Sequence, residues 1–118
     1  MTDAAVTIFH NPACGTSRKT LERIRAAGIE PNVVEYLKAG WTKPQLKRLL
    51  KLMGVSARDV LRVRGTPAEE LKLTDPKATE DQIIDAMVGH PILVERPIVE
   101  TPKGVRLCRP METVEEIL

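Results

Sequence analysis

The spacing of apolar residues changes several times along the chain, and each change marks an element. Residues 4–10 (AAVTIFH) form a short apolar, β-branched run that ends at Asn11-Pro12, which predicts a strand. Leu21, Ile24 and Ala27 recur at helical spacing, predicting a helix over 17–27 that Gly28 stops. Pro31 leads into Asn32-Val33-Val34-Glu35-Tyr36, a second strand. Strand, helix, strand implies two parallel neighbours joined by a right-handed crossover.

The middle of the chain reads as helical. Lys43 to Met53 puts Leu46, Leu49, Leu50 and Met53 on one face before Gly54. Ser56 caps a further predicted helix through Asp59, Val60 and Leu61 that finishes near Arg62, and Pro67 starts a helical turn around Glu69 to Leu71. Thr79 to Gln82 is a capping box opening a helix with Ile83, Ile84, Met87 and Val88 apolar and Gly89 at its end. Beyond His90-Pro91 the pattern turns strand-like. Pro97 to Thr101, a turn at Pro102-Lys103-Gly104 and Val105 to Cys108 predict a hairpin. Arg109-Pro110 breaks it, and Met111 to Leu118 reads as a terminal helix with Val114, Ile117 and Leu118 inward.

The order is therefore βαβ, a helical block, then ββα. Without the block, βαβ–ββα is the order of the thioredoxin fold. The expected architecture is an α/β thioredoxin-like fold with a mixed sheet, in one domain over 1–118, with a helical insertion at about 42–90 between its halves. Thioredoxin-like folds resemble one another in placing a cis proline beside the active thiol. Position in the fold makes Pro97 that proline, although most X–Pro bonds are trans.

Composition narrows the function classes. At 118 residues, 42% apolar and 29% charged, the chain is an ordinary globular domain. Its aromatics are Phe9, Tyr36 and Trp41, too few for base-stacking recognition of single strands. Net charge is only +2, and the basic cluster Lys43, Lys47, Arg48 and Lys51 lies on the polar side of a helical pattern, so no nucleic-acid partner is expected. No apolar run reaches the ~18–20 residues of a membrane span, and the N-terminus lacks a signal peptide's basic and apolar regions. A cytoplasmic location without membrane contact is the expectation. Cys14 and Cys108 are the only cysteines, with no metal-ligand spacing and no disulfide framework.

The chemistry concentrates at His10 to Arg18. Cys14 lies where a strand hands over to a helix, followed by the small residues Gly15, Thr16 and Ser17. A thiol there feels unpaired N–H groups and the positive helix end, so its thiolate is favoured, and the same N–H groups can hold an oxyanion. Thr16 and Ser17 can donate to sulfur or oxyanion, or simply cap the helix. His10, four positions before Cys14, is close enough for the loop to bring its imidazole towards the sulfur. Cys108 fits the plain role of a small buried hydrophobe.

His-Asn-Pro-Ala-Cys-Gly-Thr-Ser-Arg (10–18), Met-Gly-Val-Ser-Ala-Arg-Asp-Val-Leu-Arg (53–62), His-Pro-Ile-Leu-Val-Glu-Arg-Pro-Ile-Val (90–99) and Leu-Cys-Arg-Pro (107–110) together resemble the glutaredoxin-linked arsenate reductases, in order and over nearly the whole chain. The resemblance implies that Cys14 attacks arsenate, that His10 lowers the thiol's pKa and that Ser17 assists. It further implies that Arg62, Arg96 and Arg109 bind the oxyanion beside Gly15 and Thr16. Arginine suits that task, being always charged and able to bond a tetrahedral oxyanion with its planar fork. Glutathione would be the co-substrate and glutaredoxin the partner of a monomer that binds no cofactor or metal. The resemblance makes the protein a detoxifying oxidoreductase.

Two other readings stay open. One is a non-enzymatic redox regulator resembling the RNA-polymerase-binding members of the superfamily. Those typically carry C-x-x-C, whereas Ser17 stands three positions after Cys14 here. The other is a thiol oxidoreductase of the same family with a different substrate.

Overall fold

The computed structural model describes residues 3–118. Two compact units share them, one formed by the chain up to Ala39 together with Arg96–Leu118, the other by Gly40–Glu95.

The first unit carries a four-stranded sheet in the order β2-β1-β3-β4. Strand β1 (Asp3–His10) runs parallel to β2 (Pro31–Glu35), with Phe9 opposite Val34 and His10 opposite Glu35. Helix α1 (Gly15–Ala26) is the crossover between them. Strand β3 (Ile98–Thr101) lies antiparallel to β1, placing Ile98 opposite Phe9, and the two-residue turn Pro102-Lys103 returns the chain as β4 (Gly104–Leu107). This is the mixed sheet of a thioredoxin-like fold, as the element order implies. The core cluster of Val6, Ile8, Leu21, Ile24, Val99, Cys108, Val114 and Ile117 lies where α1 and the C-terminal turn cover β1 and β3. Alternation along β1 and the i, i+3 spacing of Leu21 and Ile24 supply those side chains.

The C-terminal segment departs from expectation. Met111–Glu116 is a 3-10 helix, with Thr113 N donating to Pro110 O and Ile117 N to Val114 O. Val114 and Ile117 still face inward, because three residues per turn stack positions i and i+3. Tyr36 also differs: β2 ends at Glu35, and Tyr36 begins a single helical turn, α2 (Tyr36–Ala39).

In the second unit α3 spans Lys43–Met53 as its spacing predicts, opened by a capping box between Thr42 and Gln45. Gly54, at φ 71°, closes it in the left-handed conformation that a glycine adopts without strain. Helix α4 (Glu80–Gly89) starts at the expected Thr79–Gln82 box. Lys43 lies 2.9 Å from Asp85 and Lys47 3.7 Å from Asp81, so part of the basic cluster on α3 faces acidic groups of α4.

Ser56 does act as an N-cap, but the element it opens is a 3-10 turn, Ala57–Val60, and not a helix reaching Arg62. The reason is a competing set of backbone bonds. Leu61 bridges Val94, Arg62 N donates to Leu93 O at 2.8 Å, and Glu95 N donates to Val60 O at 2.8 Å. Around Glu69 to Leu71 the chain makes bonded turns only.

Candidate active site

Asn11, Pro12, Ala13 and Cys14 form the turn between β1 and α1. The Cys14 N–H donates to the Asn11 carbonyl at 3.0 Å, and Ala13 N donates to Asn11 Oδ1 at 3.0 Å. Asparagine before proline favours such a turn, since its side-chain oxygen accepts from the amide two residues on. On the other side, Arg18 Nη1 donates to the Pro12 carbonyl at 2.8 Å.

Cys14 is the N-cap residue of α1, with φ −95° and ψ 121°, at a position where serine, threonine or aspartate is usual. No acidic residue occupies the first turn to compete for the helix end. Burial pushes the Cys14 thiol up, but the Ser17 N–H, the Arg109 and Arg96 side chains and the Thr16 N–H together hold it below the ordinary thiol range. At this helix end, charge on the sulfur is favoured. Arg109 Nη1 lies 3.8 Å from Cys14 Sγ and donates to the Arg96 carbonyl at 3.0 Å.

Arg96 itself is 9% exposed, and its Nε and Nη1 have no hydrogen-bond partner among the described residues. The Arg96–Pro97 and Arg109–Pro110 peptide bonds are both cis.

Ser17 is fully buried. Ser17 Oγ sits 2.6 Å from His10 Nδ1 and accepts from Asn11 N at 3.1 Å. The group that Ser17 presents to sulfur is its backbone N–H. His10 is likewise buried and bonded to Ser17. Burial lowers the His10 pKa, with Arg25 and Arg18 adding to the effect and Glu35 opposing it, which favours the neutral ring.

Gly15 opens α1. A Cβ there would meet only the Arg18 guanidinium, at 3.8 Å, so lack of room does not explain the glycine. Thr16 offers its N–H to the thiol, while its carbonyl accepts from Thr20 Oγ1 at 2.8 Å.

Arg62 belongs to the second unit, where Nη1 pairs with Glu95 Oε1 at 2.8 Å and both side chains are 22% exposed. It follows a bridge residue and does not end a helix, so capping a helix dipole is not its role. Cys108 is fully buried; burial, then Glu116, push its thiol up to about 12 against a smaller effect of Arg106. Among the described residues no group of three or more His, Cys, Asp and Glu could hold a metal ion, and no helix is long and apolar enough to cross a membrane. Asn11 is a residue that the sequence reading passes over, although Asn-Pro three residues before a helix-capping cysteine is the available signal.

The fold defines a thioredoxin-like protein with a cysteine at the start of its first helix. The ArsC family model matches residues 9–117, and the chain belongs to the ArsC family. It is 55% identical over 118 residues to arsenate reductase ArsI1 of Synechocystis, covering 100% of this chain and 82% of that protein. It is 55% identical over 113 residues to the arsenate reductase of Escherichia coli K12, covering 96% and 80%. Among solved structures, the arsenate reductase from Vibrio cholerae superposes with a TM-score of 0.92 at 40% identity, covering 98% of this chain and all of that one.

Proposed function

We propose that the protein reduces arsenate to arsenite, with the Cys14 thiolate as nucleophile and glutathione and glutaredoxin supplying the electrons. The observation that carries this reading is the Arg96 guanidinium, buried with two unpartnered nitrogens and acting on the same thiol as Arg109. A buried cation with unmet donors is costly unless an anion occupies the space beside it. A tetrahedral oxyanion fits, because the guanidinium fork bonds two of its oxygens at once. An oxyanion pocket and a thiol do not by themselves name the central atom. The relatives named arsenate reductases supply that part of the reading, and phosphate, similar in shape, is not reduced by a thiol.

Arsenate is held at the first turn of α1 by the Thr16 and Ser17 N–H groups, Arg96 and Arg109. The family resemblance adds Arg62 and Gly15. Cys14 sulfur attacks arsenic, an S–As bond forms, and one oxygen leaves as water or hydroxide. Glutathione then adds its sulfur to arsenic and displaces a second oxygen as water. A glutaredoxin thiolate attacks the glutathione sulfur, and the electron pair of that S–As bond passes to arsenic, which falls from As(V) to As(III). The two external sulfurs leave as a mixed disulfide. Hydrolysis of the Cys14–As bond releases arsenite and restores the thiolate. Ser17 contributes through its N–H, and His10 contributes by fixing the Ser17 hydroxyl.

An external second thiol suits this chain. Cys108 is fully buried with its thiol pushed up to about 12, so it stays protonated at neutral pH. The reading is of a cytoplasmic monomer, in a compartment that supplies both reductants. Its test is arsenite formation from arsenate with glutathione and glutaredoxin, comparing wild type with Cys14→Ser. Turnover by the wild type alone supports the mechanism, and turnover that survives the substitution sinks it. A wild type inactive at every arsenate concentration favours a family oxidoreductase with another substrate.

A further inference from the structure

We infer that Asn11 is the positioning residue that holds Cys14 at the end of α1, so that the acidity of the thiol depends on the Asn11 carboxamide. The inference rests on the reading of Cys14 as a thiolate nucleophile. Three of Asn11's polar groups are engaged within seven residues. Its N–H donates to Ser17 Oγ at 3.1 Å, its carbonyl accepts from Cys14 N at 3.0 Å, and Oδ1 accepts from Ala13 N at 3.0 Å. The residue is 5% exposed, whereas its turn neighbours Pro12 and Ala13 are exposed.

The geometry makes the side-chain bond matter at the sulfur. Cys14 has no side-chain cap bond to hold it against the helix. Its place over the Thr16 and Ser17 N–H groups is set by the turn before it, and those two groups lower its pKa. A carboxamide oxygen that ties Ala13 N fixes the peptide immediately before Cys14. Without it, Ala13 N turns to water, the turn relaxes, and sulfur spends less time over the helix end. Arg18 braces the same turn from outside through the Pro12 carbonyl, but its side chain is exposed and long, a weaker constraint than a short buried amide.

The experiment is the rate of Cys14 alkylation by iodoacetamide against pH, in a Cys108→Ala background, for Asn11, Asn11→Ala and Asn11→Ser. With Asn11→Ala the midpoint should rise, because weakened hydrogen bonds to the thiolate favour the protonated thiol. Asn11→Ser, whose hydroxyl makes the weaker form of the same turn, should fall between the two. Arsenate KM should change less than kcat, because the oxyanion donors on Arg96 and Arg109 remain. A folded Asn11→Ala with the parent midpoint overturns the inference. If it fails to fold, a parent-like midpoint in Asn11→Ser overturns it instead. A midpoint near ~8.5 in the parent itself contradicts the thiolate reading and not the role of Asn11 alone.

Discussion

Replacing Arg96 by methionine separates a binding arginine from a structural one. The side chain is 9% exposed, and two of its nitrogens, Nε and Nη1, lack partners among the described residues. Methionine keeps much of the length and apolar stem but removes the charge and the donors on both nitrogens. A hydrogen bond to a charged group contributes about 1.5–3 kcal/mol, so losing two to a bound oxyanion costs at least about 3 kcal/mol. At about 1.4 kcal/mol per decade that is roughly a hundred-fold in kcat/KM for arsenate.

Stability should move the other way or not at all. A cation held out of water without a full set of partners is a burden on the folded state, and methionine relieves it. The carbonyl that receives Arg109 Nη1 is backbone and survives the change. Arsenite formation gives the kinetic term and thermal unfolding the stability term, with Arg96→Lys as a control that restores charge without the fork. The expected result is a hundred-fold loss with a melting temperature equal to or above that of the wild type. A melting temperature that drops in step with activity would refute the reasoning, since Arg96 would then be a structural residue.

Three further outcomes are expected. Cys108 has a folded pKa pushed up to about 12, well above that of a free cysteine at ~8.5, so its contribution is complete below about pH 8 and is lost as pH rises towards 12. Near pH 11 the loss should be about 2–3 kcal/mol in urea titrations, and Cys108→Ala should flatten that alkaline decline. Arg109→Met should raise the Cys14 alkylation midpoint, and by less at high salt, because Arg109 is exposed and its effect is screened; an unchanged midpoint at low salt would remove Arg109 from the thiol's surroundings. Thr42→Ala breaks the capping box of α3 and should cost about 1 kcal/mol in unfolding free energy with no change in alkylation rate.

The fold was legible where periodicity and end signals agreed. Lys43–Met53 has four apolar positions on one face and Gly54 behind it, and α3 has those bounds. The order of β1, α1, β2, β3 and β4 follows from apolar runs and turn residues of the same kind. Legibility failed where bonds distant in sequence competed with local preference. Ser56 and Asp59 form their capping box, yet the helix stops at Val60 because Leu61 to Arg62 bond to Leu93 and Val94. Nothing between positions 56 and 62 carries that information.

At the site, Cys14 was readable from its place between a strand and a helix. The partner of the Ser17 hydroxyl was not. Sequence spacing allowed it to face sulfur; in the structure it lies 2.6 Å from the ring of the buried His10 at the end of β1. The N–H of the same serine then serves the thiol, a role no side-chain inventory displays. Arg96 illustrates the converse: its residue type suggested an anion, and its burial with open donors gives that suggestion a physical basis.

The most direct measurement is protection of Cys14 from iodoacetamide by arsenate, read by mass spectrometry of the labelled peptide across pH. The expected result is an alkylation midpoint well below ~8.5 and labelling that slows as arsenate or phosphate rises, with protection lost in Arg96→Met. A midpoint near that of a free cysteine, with labelling indifferent to both oxyanions, would contradict a thiolate poised at an anion site.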